Sequence, residues 1–147
     1  DRYLFILEQT YIIRLVRPFS QNLRTELTKT PKIFFYDTGL MQMLWLKRLQ
    51  KEVLGSVFET SVFGELVKRF GRDAVYYWRT TDKKEIDFIL RTPEQLHPIE
   101  TKLHFPRGIP AALENFGEAY PKRAAAGRVI ALQGTPNHPQ MVYPWQV

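Results

Sequence analysis

The sequence predicts an α/β (α+β) fold, with helices flanking a mixed sheet. Three observations carry that expectation. Leu54, Phe58, Val62, Leu66 and Phe70 recur every four residues, the spacing of one face of a long helix. After Gly71 the period changes: 75–79, 85–90 and 97–103 are β-prone runs, separated by turn signals at Thr81-Asp82 and at Pro93. A second helical stripe, Leu113, Phe116 and Tyr120, then leads into the apolar run 128–133, which reads as a buried strand parallel to the one before that helix. A length of 147 residues suits one ordinary domain, or one domain with a small appendage.

The chain begins at Asp1 in what already reads as a helix, with Tyr3, Leu4, Leu7 and Tyr11 as its stripe. It has neither an initiator Met nor a leading loop, so we expect a fragment of a longer protein. Residues 11–16 are β-prone and end at Pro18, 20–31 are polar, and 32–36 again read as a strand. Helix, strand, basic loop, strand is the outline of the back half of a winged-helix module. Residues 1–49 are therefore expected to form a partial winged-helix segment with a linker helix, and residues 50–147 the main domain. Arg14, Arg17, Arg24, Lys29 and Lys32 would meet phosphates there, contacts that position a protein on DNA without reading its sequence. A solvated loop beside a packed hairpin accounts for the same residues equally well. Asp37-Thr38-Gly39 breaks the second strand, and 40–49 is expected to be helical with Leu40, Met43, Leu44 and Trp45 on its apolar side. Toward the C-terminus, 135–139 reads as a turn and 141–145 as a last strand.

Composition narrows the class. Hydrophobic residues make up 44% and charged residues 24%, as in soluble globular chains. There is no cysteine, which excludes a disulfide framework and any thiolate metal site. No apolar run approaches the length that spans a bilayer, so no membrane partner and a cytoplasmic location are expected. The formal charge of +6 favours polyanionic partners, and nucleic acid is the expected one, although an excess of this size is also common on proteins that bind nothing charged. The Gly-rich phosphate loop ending in Gly-Lys-Ser/Thr is absent.

The chemistry-bearing residues are a set of acids and one lysine. At 100° per residue Glu59 falls between Leu66 and Phe70 on the apolar face of its helix, where a carboxylate needs a cation, a hydrogen-bond partner or a raised pKa. Glu65 also falls inside that arc and is expected to pair with a nearby Lys or Arg. Asp87 alternates with Ile86 and Phe88 and should face away from their side, while Glu100 and Lys102, two apart, share a face. A hairpin turning near Glu94 and Gln95 would set Asp87 across from Lys102 and diagonal to Glu100, roughly 5 Å and about 7 to 8 Å away. Two carboxylates and a lysine so placed suit metal-assisted phosphodiester hydrolysis, because the acids hold Mg²⁺ and the lysine meets charge at the phosphate. Taken singly, each is an ordinary surface charge or cross-strand ion pair. Tyr77, Trp78 and Arg79 offer a surface for stacking on or clamping a nucleic-acid strand, although Trp78 and one tyrosine are expected in the core. His97, His104 and His138 have no metal-ligand spacing and receive no role.

The order helix-Glu, strand-Asp, strand-Glu-x-Lys resembles the PD-(D/E)XK, or restriction-endonuclease-like, superfamily. More closely, the segments Pro31-Lys32-Ile33-Phe34-Phe35-Tyr36-Asp37-Thr38-Gly39-Leu40, Gly55 with Phe58-Glu59 and Glu65-Leu66, Tyr77-Trp78-Arg79-Thr80, Glu85-Ile86-Asp87-Phe88 and Ile99-Glu100-Thr101-Lys102 resemble one family throughout. That family is domain of unknown function 4143, found C-terminal to an AAA-type P-loop ATPase in many bacterial and archaeal proteins. The resemblance covers Tyr3 to about Leu132.

The resemblance implies a winged-helix linker, a restriction-endonuclease-like core over 50–147, and an ATPase domain with its ATP site outside this chain. By position the superfamily's helical acid carries over to Glu59, its strand acid to Asp87 and its third-strand pair to Glu100 and Lys102. Ile86 stands where the motif's name has Pro. Asp87 and Glu100, with the carbonyl of Thr101, would then hold Mg²⁺ or Mn²⁺, Glu59 would bind it directly or through water, and Lys102 would orient a water or neutralise developing charge. Three functions follow: a metal-dependent deoxyribonuclease, a catalytically inactive nuclease-fold module that binds DNA or regulates its ATPase, or a protein-interaction domain marked by an exposed apolar patch.

Overall fold

A computed structural model describes residues 2–20, 30–81 and 84–147. Its elements run α1 (Arg2–Gln9), β1 (Ile13–Val16), β2 (Lys32–Phe35), α2 (Thr38–Met41) continued by a π-helical turn (Gln42–Leu46), α3 (Gly55–Phe70), β3 (Val75–Arg79), β4 (Glu85–Arg91), β5 (Leu96–His104), α4 (Ala111–Ala119), β6 (Arg128–Gln133), β7 (Met141–Val142) and a closing 3₁₀ turn (Pro144–Gln146). The polar stretch 21–29 and positions 82 and 83 of the expected turn lie outside the described residues. Among the described residues no helix is long and apolar enough to cross a membrane.

Five strands form one mixed sheet in the order β3-β4-β5-β6-β7. The first two pairings are antiparallel and the last two parallel. The change of direction at β5 follows from connection length: five residues separate β3 from β4 and four separate β4 from β5, whereas α4 carries the chain back across the sheet before β6. β1 and β2 form a separate antiparallel pair. Directly after β1 the chain runs beside β3, where the Tyr77 amide donates to Arg17 O and the Phe19 amide to Tyr77 O.

Both faces of the sheet are covered. On one side Phe58, Val62, Phe63 and Leu66 of α3 pack with Val75, Tyr77, Phe88, Leu90, Ile99 and Ile130, and the β1–β2 pair adds Val16 and Phe34 to the same cluster. Phe34 stacks on Phe63 with ring centroids 4.8 Å apart. On the other side Leu113 and Phe116 of α4 pack with Trp78, Ile86, Ile89, Leu96 and Val129. The first 52 residues and the remainder thus share a hydrophobic core. Trp78 and Tyr77 are buried, as expected for aromatics in strands.

Three expectations are corrected. The β4–β5 ladder pairs Phe88 with Ile99 and Arg91 with Leu96, so the turn centres on Pro93 and Glu94 rather than one residue later. Thr92 sets it, exchanging hydrogen bonds with Gln95 through both its backbone amide and its hydroxyl. One more step of this register brings Asp87 level with Glu100, two residues short of Lys102.

The second correction concerns β4. Val75 pairs with Leu90 and Tyr76 with Ile89, but Trp78 pairs with Ile86, so one extra residue of β4 is accommodated between these pairs. A bulge rotates the side chains that follow it. Ile86 joins Ile89 in the α4-side core while Phe88 lies in the α3-side core. The strict alternation that would have held Asp87 away from Phe88 is broken at this point.

Third, Leu40, Met43, Leu44 and Trp45 are exposed, and Met41 is the residue that α2 buries. The helix starts at Asp37, whose carboxylate accepts from the Leu40 amide, and ends where Lys47 adopts a left-handed φ of 58°.

Candidate functional site

The acids of the set come from three elements. α3 carries Glu59 on the flank it turns to the sheet, because Phe58, Val62 and Leu66 seat the helix there. The bulged stretch of β4 carries Asp87, and the centre of β5 carries Glu100, Thr101 and Lys102. Glu59, Asp87, Thr101 and Lys102 line a cleft of about 270 Å³ with Gly55, Phe58 and Leu103. Glu100 is 8% exposed.

Each charged group has a defined partner. Oδ2 of Asp87 accepts hydrogen bonds from both the backbone N–H and the hydroxyl of Thr101, at 2.8 Å each. The Lys102 ammonium donates to Oε1 of Glu100 at 2.6 Å. Oε2 of Glu100 is buried with no hydrogen-bond partner among the described residues. Glu59 is bonded at 3.3 Å by Lys32, the first residue of β2. The same ammonium lies 2.7 Å from Glu85 and 3.8 Å from Asp87.

The electrostatics follow from burial and crowding. Burial first, and then the neighbouring Asp87 charge, raise the carboxyl pKa of Glu59, with Lys32 opposing them. The same two causes raise that of Glu100 against the pull of Lys102. Burial is the largest single influence on Lys32 and works to lower its pKa, but Glu59, Glu85 and Asp87 together outweigh it, and the net shift is upward. Lys102 is likewise raised, because Glu100 and the other acids outweigh burial.

A divalent ion can be matched against these donors. Mg²⁺ is commonly bound by one or two carboxylates and keeps several waters. Asp87 and Glu100 fit that demand, since the unpartnered buried Oε2 of Glu100 is an anionic donor that protein groups leave unsatisfied. Among the described residues there is no group of three His, Cys, Asp or Glu side chains arranged to hold an ion. Glu59 is engaged by Lys32 instead.

The residues expected to meet nucleic acid are dispersed. Arg14 is paired with Glu8 at 3.0 Å and Asp73 at 2.8 Å. Arg79 lies 3.6 Å from Glu85, and Arg17 is exposed along the edge of β3. Lys32 is inside the acid cluster, while Arg24 and Lys29 fall outside the described residues. Glu65 is exposed and paired with Lys68, one turn along α3. Sequence reasoning did not assign Glu85 or the Thr101 hydroxyl to the site. The one signal for Glu85 was its place two residues before Asp87, where a regular strand would put both on one face.

Comparisons with known proteins agree on kinship. Residues 1–52 match a second family model, described as domain of unknown function (DUF8612). Uncharacterized proteins of Mycobacterium bovis and Mycobacterium tuberculosis are each 30% identical to the chain over 108 residues. These matches cover 69% of the chain but 24% of each relative, so the chain spans about a quarter of the length of the curated relatives it matches. No solved structure matches the chain. Residues 54–144, which hold the helix, the sheet and every acid of the site, match the model of a family described as domain of unknown function (DUF4143), and the chain belongs to that family.

Proposed function

We propose that this chain is a restriction-endonuclease-like domain that hydrolyses phosphodiester bonds of DNA with Mg²⁺ or Mn²⁺, acting beside an AAA-type ATPase domain of the same polypeptide in the cytoplasm. The observation that carries the reading is the meeting of Glu59, Asp87 and Lys102 from α3, β4 and β5 at one cleft, with Glu100 buried beside Lys102 and its Oε2 without a hydrogen-bond partner among the described residues.

Asp87 and Glu100 would hold the ion, which supplies a Lewis acid for the scissile phosphate and a water acidified toward hydroxide. Thr101 fixes the carboxylate of Asp87 through two hydrogen bonds to Oδ2, which leaves Oδ1, 3.8 Å from the Lys32 ammonium, as the oxygen that would meet the ion. Lys102 has a 44% exposed side chain and is the cation nearest to solvent at the cleft, placed to neutralise charge that develops on the phosphate oxygens. Glu59, whose carboxyl pKa is raised by burial and by the Asp87 charge, would take up a proton more readily than a solvent-exposed glutamate. The net charge of +6 supports a polyanionic substrate.

Calorimetric titration of Mn²⁺ and Mg²⁺ into the wild-type chain and into Asp87→Asn tests the reading. Binding in the wild type that is lost in the variant is expected. A folded wild type that binds neither ion would contradict it.

One observation favours a second reading, a non-cutting module that docks on another protein surface, such as its ATPase. Leu44, Trp45 and Leu49 are 51%, 59% and 63% exposed and neighbour the exposed Met43, Val53 and Leu54. Exposed apolar clusters of this kind mark interaction surfaces. That reading predicts an intact, folded chain with neither metal binding nor cleavage.

A further inference from the structure

Lys32 stands in a position that a basic hairpin residue has no reason to occupy. Exposed lysines extend their ammonium into water and keep rotamer freedom, since a solvated ion pair returns little. The Lys32 side chain is 24% exposed. Its ammonium is surrounded by Glu85 at 2.7 Å, Glu59 at 3.3 Å and Asp87 at 3.8 Å, with the Tyr77 ring centroid at 5.5 Å. The acids that hold it come from α3 and β4, the same two elements that bring Glu59 and Asp87 to the cleft. The lysine arrives from another part of the chain, through the pairing of Lys32 with Val16 and the stacking of Phe34 on Phe63.

We propose that Lys32 is the built-in counter-cation of the site, competing with a divalent ion for Asp87 and Glu59. This rests on the reading of Asp87 and Glu100 as metal-binding acids. Three carboxylates brought together by the fold repel one another, and a cation must sit among them. In the absence of metal the Lys32 ammonium fills that role. A doubly charged ion on Asp87 is placed within a few ångströms of the ammonium, and the two cations repel while drawing on the same oxygens. Occupancy by metal therefore releases Lys32 from Asp87 and Glu59, leaving it to Glu85 or to solvent. Lys102 lies on the Glu100 side and is not displaced by the same step.

Two measurements test the competition. The first is Mn²⁺ calorimetry at physiological salt on the wild type, Lys32→Met, Lys32→Arg and Arg14→Met, where screening over about 8 Å removes the general effect of a distant charge. Arg14 belongs to the same hairpin but pairs with Glu8 and Asp73, away from the acids of the cleft. Lys32→Met is expected to bind Mn²⁺ on the order of tenfold more tightly, within the range of coupled binding equilibria. Lys32→Arg and Arg14→Met should stay near the wild-type affinity. The second measurement needs no neutral variant. In wild-type chain labelled with ¹³C-lysine, with Lys32→Arg used for assignment, saturating Mg²⁺ should shift the Lys32 Cε resonance from its metal-free position toward that of a solvated lysine. Metal binding with that resonance unmoved, or with equal affinity in Lys32→Met, would overturn the competition and leave the metal reading standing. No binding in either the wild type or Lys32→Met would overturn both.

Discussion

Asp87 and Thr101 are joined twice, the backbone N–H and the hydroxyl of Thr101 both donating to the same carboxylate oxygen at 2.8 Å. The regular β4–β5 ladder runs from Arg91–Leu96 to Phe88–Ile99, and beyond it the Asp87 side chain acts as the acceptor for the next strand. The carboxylate is therefore structural and site-forming at once. Asp87→Ala leaves a part-buried N–H and hydroxyl without an acceptor and should cost about 1–3 kcal/mol in urea denaturation. Asp87→Asn keeps an oxygen in place and should cost less than half of that, while losing metal affinity to the same extent. Equal stability of the two variants would show that Thr101 does not depend on this oxygen.

Glu100 is expected to weaken the fold at neutral pH. Its folded pKa is raised above the ordinary 4.5 by burial and by Asp87, so the folded state binds its proton more readily than the unfolded chain. The contribution is full below pH 4.5 and is lost as pH rises through the folded value. Glu100→Gln removes the charge and should stabilise the chain at neutral pH by on the order of 1 kcal/mol, the lower end of the cost of an unpartnered buried polar group. The gain should disappear below pH 4.5, where wild type and variant are both neutral. Thermal melts across that range measure it, and a variant less stable at neutral pH would contradict the assignment.

Leu113 of α4 packs tightly against residue 127. A Cβ on Gly127 would lie 3.0 Å from Cβ and Cδ2 of Leu113, which is buried at 4% exposure. Gly127→Ala should cost about 1–3 kcal/mol from overpacking. In the Leu113→Ala background the same change should cost less, because the Cδ1 and Cδ2 contacts are gone and only the Cβ contact remains. A double-mutant cycle with additive terms would refute the contact.

Phe34 ties the hairpin that carries Lys32 to α3 through its stack on Phe63. Phe34→Ala should cost about 3–5 kcal/mol, as for other buried aromatic truncations. Because the hairpin shares its core with the sheet, one cooperative unfolding transition is expected. Two separate transitions in the wild type would show that residues 1–52 are stabilised independently.

Much of this architecture is legible from spacing alone. The strand over 75–79 falls where alternation and turn residues place it, and the four-residue repeat locates α3 to within two residues. Glu59 could be recognised as an embedded acid, because a helical wheel measures its angle to Leu66 and Phe70. What spacing does not encode is the two-against-one pairing of β3 and β4. A bulge is a relation between strands, so the alternation of Ile86, Asp87 and Phe88 holds no trace of it. The β4–β5 register turned on one residue, set by Thr92 closing onto Gln95. The location of Lys32 was illegible for the same reason: the lysine and its acids are brought together only by the fold, through a hairpin docked by Phe34. The outward face of 40–49 shows the opposite limit, since an apolar stripe predicts a helix but not what covers it.

The central claim is phosphodiester hydrolysis, and incubating plasmid and single-stranded DNA with wild-type chain and Lys102→Ala, each with Mg²⁺ and with chelator, tests it most directly. The account predicts cutting by the wild type only with metal, and a loss of about 100-fold or more in Lys102→Ala, the scale for removing one charge-stabilising donor. A wild type that binds Mg²⁺ yet leaves both DNAs intact, or a Lys102→Ala variant that cuts as fast, would contradict it.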